Sequence, residues 1–191
     1  MQMSRLARLS AAVMAAAVLV GCAGLVRTND ARQYSYDTSM LNDIARRGGM
    51  PVVVPGEPFP SAPGRFRQRA SEILSATHRG PDFPIYPEGA QSSQGNPWRT
   101  VVVINPPRAV SSGNVCGGNV TGGTVDDGRV SMVAALCVGS RAKTLVRGWT
   151  GNVGGPESPR IERLLRQTGL ALYPLIDEDR DRDSSGGDFA T

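Results

Sequence analysis

Ser140 and Lys143 stand three apart, the spacing at which a lysine amine on the same helical turn can take the proton of a serine hydroxyl and make it a nucleophile. Ser112-Gly113-Asn114 matches the Ser-x-Asn element that accompanies such a pair. Here, however, the two elements come in reversed order, Gly139-Ser140-Arg141 reads as a turn between strands, and the third element, a Lys-Thr-Gly strand, is missing. His78 is the only histidine, so any Ser-His-Asp relay or histidine metal site must be built around it, and no Gly-x-Ser-x-Gly elbow supplies its serine. It falls at the end of a helical stretch, where a cation or a partly exposed cap is the ordinary role. The glycine-rich stretch Gly117 to Gly123 lacks the Gly-Lys-Ser/Thr ending of a phosphate cradle and lies between strands. Asp179, Asp181 and Asp183 begin like a calcium loop, but the glycine and glutamate such a loop needs further on are absent. No catalytic residue, metal site or cofactor is therefore expected. A cell-wall hydrolase, which would have to draw on Ser140, Lys143 and His78, is the least favoured reading.

The strongest chemical signal is at the other end of the chain. Arg5 and Arg8 precede an apolar run from Leu9 to Val20 with small residues after it, the layout of a secretory signal. That run is about a dozen residues, whereas a membrane-spanning helix needs about 20, so cleavage rather than retention as a span is expected. Leu19-Val20-Gly21-Cys22 resembles the lipobox of bacterial lipoproteins. The resemblance implies that the Cys22 sulfur receives diacylglycerol, that cleavage falls between Gly21 and Cys22, and that the new amine is a further acylation site. Two or three acyl chains give stable anchoring where one gives only marginal binding. The same resemblance implies an outer-membrane destination, because Ala23 rather than aspartate follows the cysteine; the inner membrane is the alternative.

With Cys22 assigned to lipid, Cys116 and Cys137 remain, and in an oxidising compartment an even remainder reads as one disulfide. A hairpin closing around Asp126-Asp127 sets residues 116 and 137 directly opposite each other at a non-hydrogen-bonded pair, about 4.5 Å apart. The competing turn, Asp127-Gly128, is the better type I′ dipeptide and places Gly139 opposite Cys116 unless a bulge intervenes.

Periodicity then supplies the elements. A brief helix is expected at Ser39 to Arg47 and a strand at Met50 to Val54. From Phe66 to Thr77 the spacing is helical, and Gly80 to Pro97 reads as a loop. Thr100 to Asn105 is a strand apolar on both faces, hence internal to a sheet. Val115 to Thr150 reads as an antiparallel meander. A last helix starts at Ser158-Pro159 and is ended by Gly169 or Pro174. The expected fold is α+β, a small mainly antiparallel sheet (β-α-β, then a β-meander) with helices on one face and one disulfide. The expected division is a signal peptide over 1–21, a lipid-anchored tether over 22–49, one domain over 50–176 and an acidic disordered tail over 177–191.

The chain has a net charge of +4, and Lys143 is its only lysine, so its cations are almost all arginines. Asp177, Glu178, Asp179, Asp181, Asp183 and Asp188 make the tail acidic and leave the body basic. Arg65, Arg67 and Arg69 on one helix and Arg160, Arg163 and Arg166 on the other are the candidate residues for an anionic partner, since guanidinium forks onto phosphate and carboxylate; the plainer account is solvated surface.

Pro51 to Phe59, Val102 to Pro106 and Ala134 to Ala142 are similar to an uncharacterised group of small alphaproteobacterial lipoproteins, a resemblance that implies architecture and no activity. The leading expectation is a periplasmic, membrane-anchored module that binds or supports an envelope protein. The second is a binder of anionic lipid or envelope polymer. Nucleic acid is not an expected partner.

Overall fold

Four β-branched apolar residues in a row, Val101 to Ile104, can be buried on both faces only inside a sheet, and the computed structural model places them there. The structure describes residues 27–90, 95–108 and 110–175. Six strands, β1 (Arg27–Gln33), β2 (Met50–Val53), β3 (Ile85–Pro87), β4 (Trp98–Ile104), β5 (Val130–Val138) and β6 (Arg141–Thr150), form one sheet in the order β1-β6-β5-β4-β2-β3. The pairs β1/β6, β6/β5 and β5/β4 are antiparallel, whereas β4/β2 and β2/β3 are parallel. The sheet is thus mixed, and the domain is α+β with one disulfide.

Strand alternation divides the core in two. Val102, Ile104, Met132, Ala134, Leu136 and Val146 face three helices, α1 (Ser39–Arg46), α2 (Arg65–Ser75) and the helix Pro159–Leu172. Val101, Val103, Val133, Ala135, Cys137 and Leu145 face the opposite way, towards the short helix α3 (Ser112–Cys116), so the Pro159–Leu172 helix is α4 in chain order. Ser158 caps α4 through its hydroxyl with Pro159 in the first turn, and Ile161, Leu164, Leu165 and Leu172 bury its inner stripe. Each such side chain contributes about 1.5–3 kcal/mol of transfer free energy. Gly169 does not end α4. It lies inside the helix where α2 runs out, and a Cβ there would stand 3.2 Å from Leu74 and Thr77, so the glycine permits the two helices to approach closely.

Two polar contacts tie the layers together. Tyr173 Oη and Thr100 Oγ1 share a hydrogen bond of 2.6 Å, and burial pushes the Tyr173 phenol far above its ordinary range, so it stays neutral and serves as a strut. On α1, Asp43 accepts from the Trp98 indole at 2.8 Å and from Arg47 at 2.9 Å. These donors, the indole first, hold its carboxyl at about 2 against an ordinary 3.8. A depressed carboxyl adds stability that is complete above 3.8 and lost as the pH falls through about 2. Thermal melts of Trp98→Phe and the parent should therefore differ most above pH 4 and converge towards pH 2; a constant difference across that window would remove Asp43 from the account.

The structure corrects the sequence reading at four places. Residues 27–49, expected as tether, are part of the fold: β1 pairs with β6, and α1 buries Leu41 and Ile44. The loop expected over 80–97 contains β3, a short edge strand parallel to β2. The stretch from Val115 to Val125 is not a strand, because β5 already has both edges occupied by β4 and β6, and four glycines there favour irregular chain over a ladder. The Cys116–Cys137 disulfide is present, but it joins α3 to β5 with a Cα separation of 5.6 Å, and neither proposed hairpin register exists. The lipobox and the acidic tail lie outside the described residues.

Candidate functional site

The six helix arginines do not form an unopposed basic face. Arg65 on α2 meets Glu157 at 2.9 Å, Arg69 meets Glu162 at 2.8 Å and Glu72 at 3.5 Å, and Arg166 meets Glu162 at 3.0 Å. Arg160 donates to the Gly151 carbonyl at 3.3 Å. Arg67 and Arg163 have no ion pair among the described residues. Glu157 and Glu162 reach Arg65 and Arg69 from the turn before α4 and from α4 itself, contacts that a reading of α2 alone misses, whereas Arg69–Glu72 and Arg166–Glu162 are pairs within one helix. The network staples α2 to α4, and charges already matched in this way attract a further anion weakly.

Unopposed cations gather on the opposite side of the sheet. Between the β1/β6 edge and α3 run two adjoining concavities of about 400 and 270 Å³, sharing Tyr34 and Ser112 as walls. Arg141 and Lys143 line the first and Arg147 the second, and Arg147 also borders a third, of about 400 Å³, with Arg108 and Trp149. No aspartate or glutamate among the described residues lines any of the three. Arg108, Arg141, Lys143 and Arg147 make no ion pair among the described residues; the Lys143 ammonium donates to the Ser35 carbonyl at 3.5 Å and Arg147 to the Val110 carbonyl at 2.7 Å. Tyr34 and Trp149, the exposed large aromatics among the described residues, are 37% and 45% exposed and both border this trough. From Arg141 to Trp149 the cleft follows eight residues of strand, roughly 26 Å.

The local causes are plain. In β6 every second side chain meets α3's side of the sheet, which puts Leu145, Arg147 and Trp149 in one row opposite Ala135, Val133 and Ser131. Leu145 is covered by α3, and Arg147 and Trp149 run out past its cover. A bulge at Leu136/Cys137 turns the start of β6 so that Lys143 reaches the cleft beside Ala142. The disulfide fixes α3, and with it the cleft's second wall, to β5.

Ser140, Lys143 and Ser112 do come together in the first concavity. His78 does not join them. It lies on the helical side of the sheet, stacked on Phe83 at 4.0 Å, with Nε2 hydrogen-bonded to the Phe83 carbonyl at 2.9 Å. Among the described residues no group of His, Cys, Asp and Glu is arranged to hold a metal ion. What the cleft offers chemically is positive charge, hydroxyls and two aromatic surfaces.

No family model matches the chain, and no curated protein matches it by sequence. Among solved structures it is similar to the PelC dodecamer from Paraburkholderia phytofirmans: a single-residue variant gives 17% identity over 79% of this chain and 100% of that one, with a TM-score of 0.41. A second structure of the same dodecamer gives 14% identity over 78% and 97% of the two chains, with a TM-score of 0.39.

The sequence reading named none of Tyr34, Arg108, Arg141, Arg147 and Trp149 as binding residues. Their signal was the alternation in β6, where an arginine and a tryptophan continue a row that begins with buried Leu145.

Proposed function

We propose that this chain is a non-enzymatic envelope lipoprotein, held by acyl chains on Cys22 at the periplasmic face of the outer membrane, that binds an extended anionic envelope partner in the cleft between the β1/β6 edge and α3. The supporting observation is the cleft itself: five cations (Arg32, Arg108, Arg141, Lys143 and Arg147) and two exposed aromatics along roughly 26 Å, with no carboxylate among the described lining residues. Positive potential confined to a groove raises the local concentration of anions, arginine forks onto their oxygens, and the aromatic faces accept flat or ring-shaped backbone. This moves the anion-binding reading from the helix arginines to the other face of the sheet. β1 begins at Arg27, five positions after Cys22, so the link between the acylated residue and the sheet spans at most about 18 Å, which holds the domain near the membrane.

Two measurements test the two halves. Radiolabelled palmitate should enter the native chain and not Cys22→Ala; equal labelling of both would sink the anchor. Residues 22–191 carrying Cys22→Ser should bind polygalacturonate or polyphosphate with an affinity that falls steeply with salt, since exposed charges are screened within about 8 Å at 0.15 M. A flat salt response, or no binding to either polymer or to phosphatidylglycerol vesicles, would overturn the cleft reading.

A further inference from the structure

The described fold ends at Leu175, and the chain beyond it carries Asp177, Glu178, Asp179, Asp181, Asp183 and Asp188 against Arg180 and Arg182. Where the chain leaves the fold is fixed by two hydrogen bonds. Tyr36 Oη donates to the Pro174 carbonyl at 2.8 Å, and Thr144 Oγ1 donates to the Leu172 carbonyl at 2.8 Å. Tyr36 is two residues from Tyr34, which walls the cleft, and Thr144 adjoins Lys143, which lines it. Leu175 itself lies against Gly80 and Leu41, so the acidic segment leaves from the helix side of the sheet, at the end where β6 begins, and must pass around the sheet to reach the Arg141/Lys143 end of the cleft.

We propose that this segment is itself a ligand of the cleft: its later carboxylates, Asp181 and Asp183, dock against Arg141 and Lys143 of the same chain. Three observations converge on it. The segment is the acidic run that the basic, carboxylate-free cleft complements in charge. It is long enough at its far end, because Asp181 and Asp183 lie six and eight positions beyond Leu175, a reach of up to roughly 22 and 29 Å at about 3.6 Å per residue, which covers the path around the sheet to Arg141 and Lys143, whereas Asp177 reaches only about 7 Å. And it is tethered, so its effective concentration at the cleft is in the millimolar range and a contact too weak to hold a free peptide still keeps the site occupied. The helix arginines compete poorly for it, since Arg65, Arg69 and Arg166 already face glutamates. The consequence is a self-shielded site: a polyanion must displace the tail to enter, so short or weakly charged anions are rejected and long, dense ones admitted.

The contact can be read without any outside ligand, which separates it from the polyanion-binding proposal on which its function rests. Residues 22–191 with Cys22→Ser receive a nitroxide at Ser184→Cys, the Cys116–Cys137 bond being left intact. Amide signals of residues 34, 141 and 143 should broaden and recover when the salt is raised towards about 1 M, where screening acts within about 3 Å. Uniform or absent broadening, or broadening of Arg67 and Arg163 instead, would overturn the docking. Broadening that grows with protein concentration would place the tail on a neighbouring copy and overturn the same-chain contact. If broadening is found but polygalacturonate and polyphosphate do not bind, the tail contact stands and the external-ligand reading fails. If both hold, the full chain with Asp177→Asn, Glu178→Gln, Asp179→Asn, Asp181→Asn and Asp183→Asn should bind polygalacturonate about tenfold more tightly than the parent. That gain should vanish when Arg141→Glu and Lys143→Glu are added; a gain that survives these changes, or no gain at all, contradicts displacement of the tail from this cleft.

Discussion

Replacing Cys116 and Cys137 together by alanine should lower stability by about 3 kcal/mol, the chain-entropy value for a closed loop of this size. The two cysteines are 21 positions apart. For a domain this large each kcal/mol corresponds to about 2–4 °C, so a midpoint lower by about 6–12 °C is expected in calorimetry. The effect should be lopsided. The three helices on the far side of the sheet hold a continuous core of their own, whereas the other side is covered by Val110 and, from α3, Val115 and Cys116, and α3 is joined to the sheet by this one covalent link. Amide exchange should accordingly accelerate first in residues 111–120 and in the strand positions beneath them, Val133, Ala135 and Leu145. A uniform rise in exchange across the domain would contradict that division of the core. Because α3 is also a wall of the cleft, the double alanine variant should bind polyanions less well even at temperatures where it remains folded.

Gly49→Ala should be at least as damaging. Gly49 joins α1 to β2 with φ near +100°, and a Cβ there would stand 2.0 Å from the Pro84 carbonyl oxygen, which also accepts the Met50 amide at 3.1 Å. An L side chain at that φ costs about 1–2 kcal/mol before any contact is counted. The carbonyl cannot yield without moving the start of β3, since Met50 pairs with Ile85 in parallel register. A loss of about 3 kcal/mol or more is expected by chemical denaturation, with β3 displaced from the sheet edge. Gly48→Ala is the control. Its φ of +77° carries the same backbone penalty, but nothing lies within 4 Å of its added Cβ, so its loss should be nearer 1 kcal/mol. Equal losses at the two glycines would show that steric contact with Pro84 is not the cause.

Much of the fold was legible because its strongest signals are local. Val101 to Ile104 could only be an interior strand, Ser158-Pro159 marked the start of α4, and the two cysteines that remain when Cys22 is read as a lipidation site pointed to one bond. Partnership was far less legible. Arg27–Gln33 has no apolar period, and it is a strand because β6 offers it an edge. Cys116 was paired correctly for a mistaken reason: the hairpin register was arithmetic on a strand that does not form, while the bond depends on α3 lying over Cys137. The same limit decided the site. Each helix displayed its arginines in the sequence, but the glutamates that answer Arg65 and Arg69 across the helix pair, Glu157 and Glu162, come from outside α2, and the unopposed cations lie on a strand face that is assembled only when β6, β1 and α3 meet.

The cleft and the helix face can be set against each other in one titration. Polygalacturonate is added to residues 22–191 carrying Cys22→Ser, in the parent, with Arg141→Glu and Lys143→Glu in the cleft, and with Arg65→Glu and Arg166→Glu on the helices. Reversing two unopposed cleft charges should weaken binding about a hundredfold, equivalent to about 2.7 kcal/mol, whereas the helix reversals should leave it within about threefold of the parent. Circular dichroism must first show all three chains folded, because the helix reversals break the Arg65–Glu157 and Arg166–Glu162 pairs. A large loss from the helix reversals with the cleft reversals near parent affinity would contradict the cleft as the binding site.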